Sequence, residues 1–212
     1  MVCHKGHDGR SFKFFERDDV VLVCGGIGAE AARRAAEAAV AIYGPQFLVS
    51  AGFAGALNAR LPVGQTFTPQ QVVDAGDGSR VESVFGEGVL VSFGDIADVE
   101  QKSRLSEAYG ADAVDMEAAA VARCAEAHDI KFVACKVISD TSSTKLPPIA
   151  RFVGADGQFH ALHFLGYVSV RPWLWGRVMR LASDSGKAAA KLCAALVDPR
   201  MRALAHPEEV MR

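Results

Sequence analysis

The segment that most constrains the fold is an alanine-rich stretch, Ala29 to Tyr43, set between two short apolar runs. Gly25-Gly26-Ile27-Gly28 precedes it and Gly44-Pro45 ends it, so the punctuation predicts one helix with sharp boundaries. Val20-Val21-Leu22-Val23-Cys24 before it and Phe47-Leu48-Val49 after it are continuous apolar runs, the pattern of strands buried on both faces. Strand, helix and strand in that order predict a βαβ unit and an α/β fold. The second run leads into Ser50-Ala51-Gly52-Phe53-Ala54-Gly55, whose glycines predict a loop. Upstream, Ser11 to Glu16 alternates Phe12 and Phe14 with polar residues, and Asp18-Asp19 turns the chain into Val20, which predicts a hairpin.

Further along, Thr66 to Asp74 and Val89 to Phe93 read as strands and Val99 to Ala108 as a short helix. Ala113 to Met116 reads as a short strand feeding a helix from Glu117 to His128, and Lys131 to Ile138 as an apolar strand ending at Ser139-Asp140. Between Thr141 and Val170 only turn signals stand out, Pro147-Pro148 and Asp156-Gly157. Pro172 suits a first helical position, so a long helix is expected from there to about Leu196, followed by a charged tail. With 212 residues, half of them hydrophobic, and no repeat or linker, one domain spanning 1–212 is expected.

A net charge of −2 from 23 basic and 25 acidic residues gives no global field for nucleic acid, so the expected partner is a small molecule. The N-terminus carries no apolar run of signal-peptide length, and no apolar stretch reaches the roughly 18 residues of a membrane span. Cys3, Cys24, Cys124, Cys135 and Cys193 show no CxxC spacing and read as reduced core thiols, which predicts a cytoplasmic protein. Cys3, His4 and His7 find no fourth ligand at metal-site spacing and read as a mobile tail, and no metal or cofactor is expected.

Ligands of open α/β sheets gather at the carboxyl ends of strands. Two carboxylates stand there: Glu117 after Ala113 to Met116, and Asp140 after Lys131 to Ile138. Each alone reads as a helix-terminus carboxylate. Four pieces taken together resemble a known superfamily. They are Gly26-Ile27-Gly28, Val49 to Leu57 followed by Val63-Gly64, Val114-Asp115-Met116-Glu117-Ala118, and Val137-Ile138-Ser139-Asp140. Their order and spacing resemble the purine nucleoside phosphorylases and the methylthioadenosine/S-adenosylhomocysteine nucleosidases, over about Ser11 to Asp140.

The resemblance implies a mixed central β-sheet flanked by helices and cleavage of the N-glycosidic bond of a purine nucleoside. It implies that Asp140 is the general acid that protonates N7 of the leaving purine, oriented by Ser139. That role requires Asp140 to be protonated when substrate binds, through a raised pKa. It implies that Glu117 accepts hydrogen bonds from the ribose hydroxyls and that Met116 packs on the sugar. Gly26, Gly28, Ala51, Gly52 and Phe53 would form the pocket and anion loop, with Gly94 and Ile96 beside the purine. Similar enzymes are homodimers or larger, so a homo-oligomer is expected.

Departures from the family refine this. Where similar phosphorylases carry an arginine and a hydroxyl that contact phosphate, this chain has Ser50 and Phe53, so water is the expected nucleophile rather than phosphate. Arg60 nearby reads as a solvated loop residue. Family members begin with a central strand and a glutamate that, in the nucleosidases, activates water; this chain begins at the hairpin that follows, so either the start of the reading frame is misplaced or the fold lacks that strand and one catalytic group. The alternative function is therefore a catalytically silent relative that binds a nucleoside or a partner protein. The apolar segment from Ile149 to Val168 and the helix opened by Arg171-Pro172-Trp173-Leu174-Trp175 read as core closure or a subunit interface. They also look like the corresponding part of the hopanoid-associated phosphorylases, which implies a lipid-linked adenine nucleoside, adenosyl-hopane, and peripheral contact with a membrane.

Overall fold

Strand β4 (Phe47–Ala56) organises the domain. It runs parallel to β10 (Lys131–Asp140) over nearly its whole length and, at Gly55 and Ala56, antiparallel to β9 (Ala113–Asp115). The chain is described by a computed structural model covering residues 2–5, 11–154 and 157–197, with side chains from Phe12 onward. With β5 (Thr66–Phe67), β6 (Gln71–Asp74), β7 (Arg80–Glu82) and β8 (Val89–Ser92) these strands make one mixed sheet of order β5-β10-β4-β9-β8-β6-β7. A separate three-stranded antiparallel sheet joins β1 (Val2–Lys5), β2 (Ser11–Arg17) and β3 (Val20–Val23). Helix α3 (Ala118–Ala127) packs on the large sheet, α1 (Ala29–Tyr43) packs on α3, and α5 (Pro172–Leu196) packs on β10. The expected α/β domain, with a mixed sheet flanked by helices, is what the chain forms.

Several elements end where their residues require it. Helix α1 stops at Gly44, which adopts a left-handed φ of 52° and donates its N–H to the Val40 carbonyl. Helix α2 (Val99–Tyr109) starts with a capping box: the Asp98 side chain accepts from the Gln101 N–H, and the Gln101 side chain accepts from the Asp98 N–H. In the last third of the domain a 3₁₀ turn (Ile149–Phe152) and α4 (Ala161–Ser169) are joined by Phe152 packing on Phe164 and Tyr167. Rows of apolar side chains from β4, β10, α1 and α3, including Leu48, Ala122, Phe132 and Ile138, form the main core.

The structure corrects five readings. Ser50 to Gly55 is strand rather than loop. Thr66 to Asp74 is two strands, because Pro69 lies between them and cannot donate to a ladder. Val20–Val23 is not buried: β3 pairs only with β2, and Val20 and Leu22 are about half exposed while Val21 and Val23 pack with Phe14 and α1. Residues 2–5 are a strand in register with β2 rather than a loose tail. His7 and Asp156 lie outside the described residues, as do the side chains of Cys3 and His4. Finally, Cys124 and Cys135 are buried thiols as expected, but Cys24 and Cys193 are exposed. The Cys124 thiol is pushed up to about 12, first by burial and then by Glu37.

Candidate active site

The register places Asp140, Gly55 and Val114 in one row across β10, β4 and β9. From Val114 the chain continues through Asp115 and Met116 to Glu117, so both candidate carboxylates border the end of β4. Asp140 is buried. One of its oxygens accepts from Ser139 Oγ at 2.7 Å, and the other is ion-paired with Nζ of Lys102. Lys102 is 2% exposed and also donates to the Thr141 carbonyl at 2.8 Å. Ser139 Oγ also lies 3.3 Å from the Ala54 carbonyl. Each Asp140 oxygen thus has one side-chain partner, Ser139 on one side and Lys102 on the other.

Space for this pair comes from Gly55. A Cβ there would lie 3.0 Å from Asp140 Oδ2 and 3.2 Å from Cε of Lys102. One layer away, Lys136 projects from the middle of β10, 1% exposed. It pairs with Asp115 Oδ2 at 2.8 Å and donates to Ser50 Oγ at 3.0 Å. Asp115 has two further donors: it also accepts from Ser92 Oγ at 2.6 Å and from the Ala118 N–H at 2.9 Å. Asp115, rather than Glu117, therefore caps α3.

Glu117 is left for other work. Its Oε1 accepts from the Gly28 N–H at 2.8 Å and its Oε2 from the Met116 N–H at 3.3 Å. Each oxygen retains a lone pair for a further donor. Burial pushes its carboxyl above the ordinary range, and the negative charge of Asp115 adds to the shift. The glycine loop expected to hold an anion thus closes on a carboxylate of the protein itself. Gly28, with a φ of 97°, turns that N–H onto Glu117, and Ile27 is held by the Gly157 carbonyl at 2.7 Å.

Other expected site residues are dispersed. Ser50 and Gly52 face Lys136, whereas Phe53 is 41% exposed and Ala51 exposed on the opposite side of β4. Met116 is half-buried beside Glu117, Gly26 and Gly94 are exposed, and Ile96 is half-buried. Ile96 lines a shallow cleft of about 400 Å³ between the start of α2 and residues 145–150, which contains neither Glu117 nor Asp140. Arg60 is solvent-exposed and paired with Asp112 at 3.2 Å. His160 and His163 are exposed and stack edge to face.

Sequence reasoning missed Lys102, Lys136, Asp115 and Ser92. A signal existed for two of them. Lys136 interrupts an otherwise apolar strand, and Lys102 falls on the helical stripe of Val99 and Leu105, where an apolar residue would be usual.

No curated protein sequence matches the chain. Among solved structures it is similar to 5′-methylthioadenosine/S-adenosyl homocysteine nucleosidase of Helicobacter pylori, with 18% identity, a TM-score of 0.63, and 90% of this chain and 85% of that one covered. A putative methylthioadenosine nucleosidase from Weissella paramesenteroides gives 21% identity and a TM-score of 0.60 over 66% of this chain and 78% of that one. Futalosine hydrolase of Helicobacter pylori gives 18% and 0.58 over 89% and 85%. These likenesses establish a shared fold. A sequence profile of the phosphorylase superfamily matches residues 3–99 and 84–153, which include β2 to β10 and both carboxylates, and the chain therefore belongs to that superfamily.

Proposed function

We propose that the protein cleaves the N-glycosidic bond of an adenine nucleoside, with water as the nucleophile. The observation that supports this best is Asp140, held at the end of β10 by Ser139 and a buried lysine, in a member of the phosphorylase superfamily. A purine leaves poorly as an anion, so it must gain a proton at N7 as the bond to C1′ stretches. Asp140 is the group that delivers it. Glu117 faces the positive charge that grows on the ribose and accepts hydrogen bonds from its hydroxyls. Water is favoured because Ser50, where similar phosphorylases carry a phosphate-binding arginine, is buried against Lys136, and because the Gly28 N–H is already committed to Glu117.

Adenine release from adenosine and methylthioadenosine, followed by chromatography with and without phosphate, tests this reading. Free ribose or its 5′-substituted equivalent is expected in both cases. Stoichiometric sugar 1-phosphate would replace water by phosphate, and tight nucleoside binding without turnover would favour a silent relative. Glu117→Gln is expected to reduce turnover about tenfold or more, since a neutral amide loses the charge-assisted bonds.

The same substitution should not destabilise the protein at neutral pH. With a folded pKa above the unfolded one, the folded state binds more protons between the two values, so stability falls as pH rises through that window. A neutral amide at this position removes the penalty. A melting curve of the variant that keeps the wild-type pH slope would contradict the assignment.

A finer reading concerns the substrate's 5′ end. The outer faces of α4 and α5 expose Leu162 (84%), Trp173 (72%) and Met179 (73%), beside the exposed cations Arg177 and Arg180. No helix among the described residues is long and apolar enough to cross a membrane. An apolar face bordered by cations suits the surface of an anionic bilayer, and supports adenosyl-hopane as substrate. Co-sedimentation with anionic vesicles and faster cleavage of adenosyl-hopane than of methylthioadenosine are expected. Efficient methylthioadenosine cleavage with no vesicle binding would leave a nucleosidase of small substrates. A homo-oligomer is part of the same reading, and light scattering at micromolar concentration checks it.

A further inference from the structure

We infer that Lys102 is a positioning residue that also supplies the proton which Asp140 hands to the leaving purine; this rests on the nucleosidase reading above. Of the two side chains that contact the Asp140 carboxyl group, Ser139 and Lys102, only Lys102 carries a readily transferable proton. The proton at hand is the one on the ammonium of Lys102, which contacts Asp140 Oδ2 and is 2% exposed.

Nothing about α2 as a surface helix calls for a lysine there. Its neighbour on the buried stripe, Leu105, is apolar, and its Nζ has bonds to the Asp140 carboxylate and the Thr141 carbonyl. Two further features accommodate it. Gly55 leaves the space that a Cβ would take, and the capping box of Asp98 and Gln101 fixes the turn from which Lys102 projects. Lys136 shows the contrast. It too is buried and paired, but its aspartate is also held by Ser92 and the start of α3, as a structural pair should be.

The step balances. The ammonium proton moves to Asp140, and Asp140 passes it to N7 while the C1′–N9 bond breaks with its electron pair leaving on the base. Water adds to C1′ and loses a proton to solvent, and the Lys102 amine takes one up from solvent. In the resting state the ion pair holds Asp140 in place; during the reaction it supplies the acid.

An alkylamine can release its proton and a guanidinium cannot, so the nature of the cation is testable. Lys102→Met should lower kcat for adenine release by about 100-fold with KM changed by less than about threefold. Lys102→Arg, which keeps the charge, should not restore it. The double variant Lys102→Met with Asp140→Asn removes both charges and should be no slower than Asp140→Asn alone, because Lys102 acts only through Asp140. It also serves if the single Met variant fails to fold. Recovery of kcat by Arg, or losses that multiply in the double variant, would overturn the proton-supply role while leaving the nucleosidase reading intact. Wild-type protein that releases no base, or an Asp140→Asn variant with full turnover, would overturn the nucleosidase reading itself, and the Lys102 assignment with it.

Discussion

Asp140→Asn is expected to slow base release by about 100-fold or more while leaving the secondary structure unchanged. The amide oxygen of asparagine can accept from Ser139 or from Lys102, so local geometry survives. What it loses is the capacity to take a proton from one partner and give it to another. KM should change little, because asparagine can still hydrogen-bond N7 in the ground state, and the loss should appear in kcat. The melting temperature should fall, since Lys102 would face a neutral group in a buried site. Chromatographic assay of adenine release, with circular dichroism on the same samples, separates the two effects. Wild-type turnover in the Asn variant would remove Asp140 from the chemistry altogether.

The contrast between what the sequence revealed and what it concealed has a physical basis in β4. Helix α1 was legible to the residue because glycine and Gly-Pro boundaries leave little freedom, and α5 likewise because Pro172 fixes its start. Strand β4 was not, because Gly52 and Gly55 look like a loop when only local propensity is weighed. Those glycines are in the strand because long buried side chains from neighbouring elements occupy the space beside them. Gly52 faces Lys136, and Gly55 faces both Asp140 and Lys102. Exposure of β3 was equally invisible, since an apolar run on an edge strand is written like one in a sheet interior. At the candidate site, Glu117, Ser139 and Asp140 could be singled out because they stand at or just beyond strand ends within the motifs that resemble the superfamily. Their partners were less legible: Lys102 stands on the apolar stripe of its helix, but the other charges of that helix, such as Glu100 and Arg104, are solvated. Only the fold shows that this one cation points inward.

The second large effect is one of stability. Lys136→Met is expected to destabilise the protein by about 3–5 kcal/mol, the usual cost of breaking a buried ion pair from one side. The methionine fills most of the same space, so the loss is electrostatic rather than a cavity. Asp115 would keep the Ser92 hydroxyl and the Ala118 N–H, but its charge would stand uncompensated beneath Glu117. For a domain whose total stability is typically about 5–15 kcal/mol, this is a large fraction. Adding Asp115→Asn to Lys136→Met removes the stranded charge and should recover more than half of the loss, a coupling that urea titration of the four proteins would measure directly. The two single effects adding without recovery would mean that the pair contributes little beyond its separate hydrogen bonds. The pair also bears on the site, because the Glu117 carboxyl is held up by burial and Asp115 and held down by the Gly28 N–H and Lys136. Removing Lys136 should therefore move the Glu117 carboxyl further upward, and a turnover profile limited by ionised Glu117 should shift to higher pH in the single variant. In the double variant, where Asp115 no longer carries its charge, that shift should be reversed.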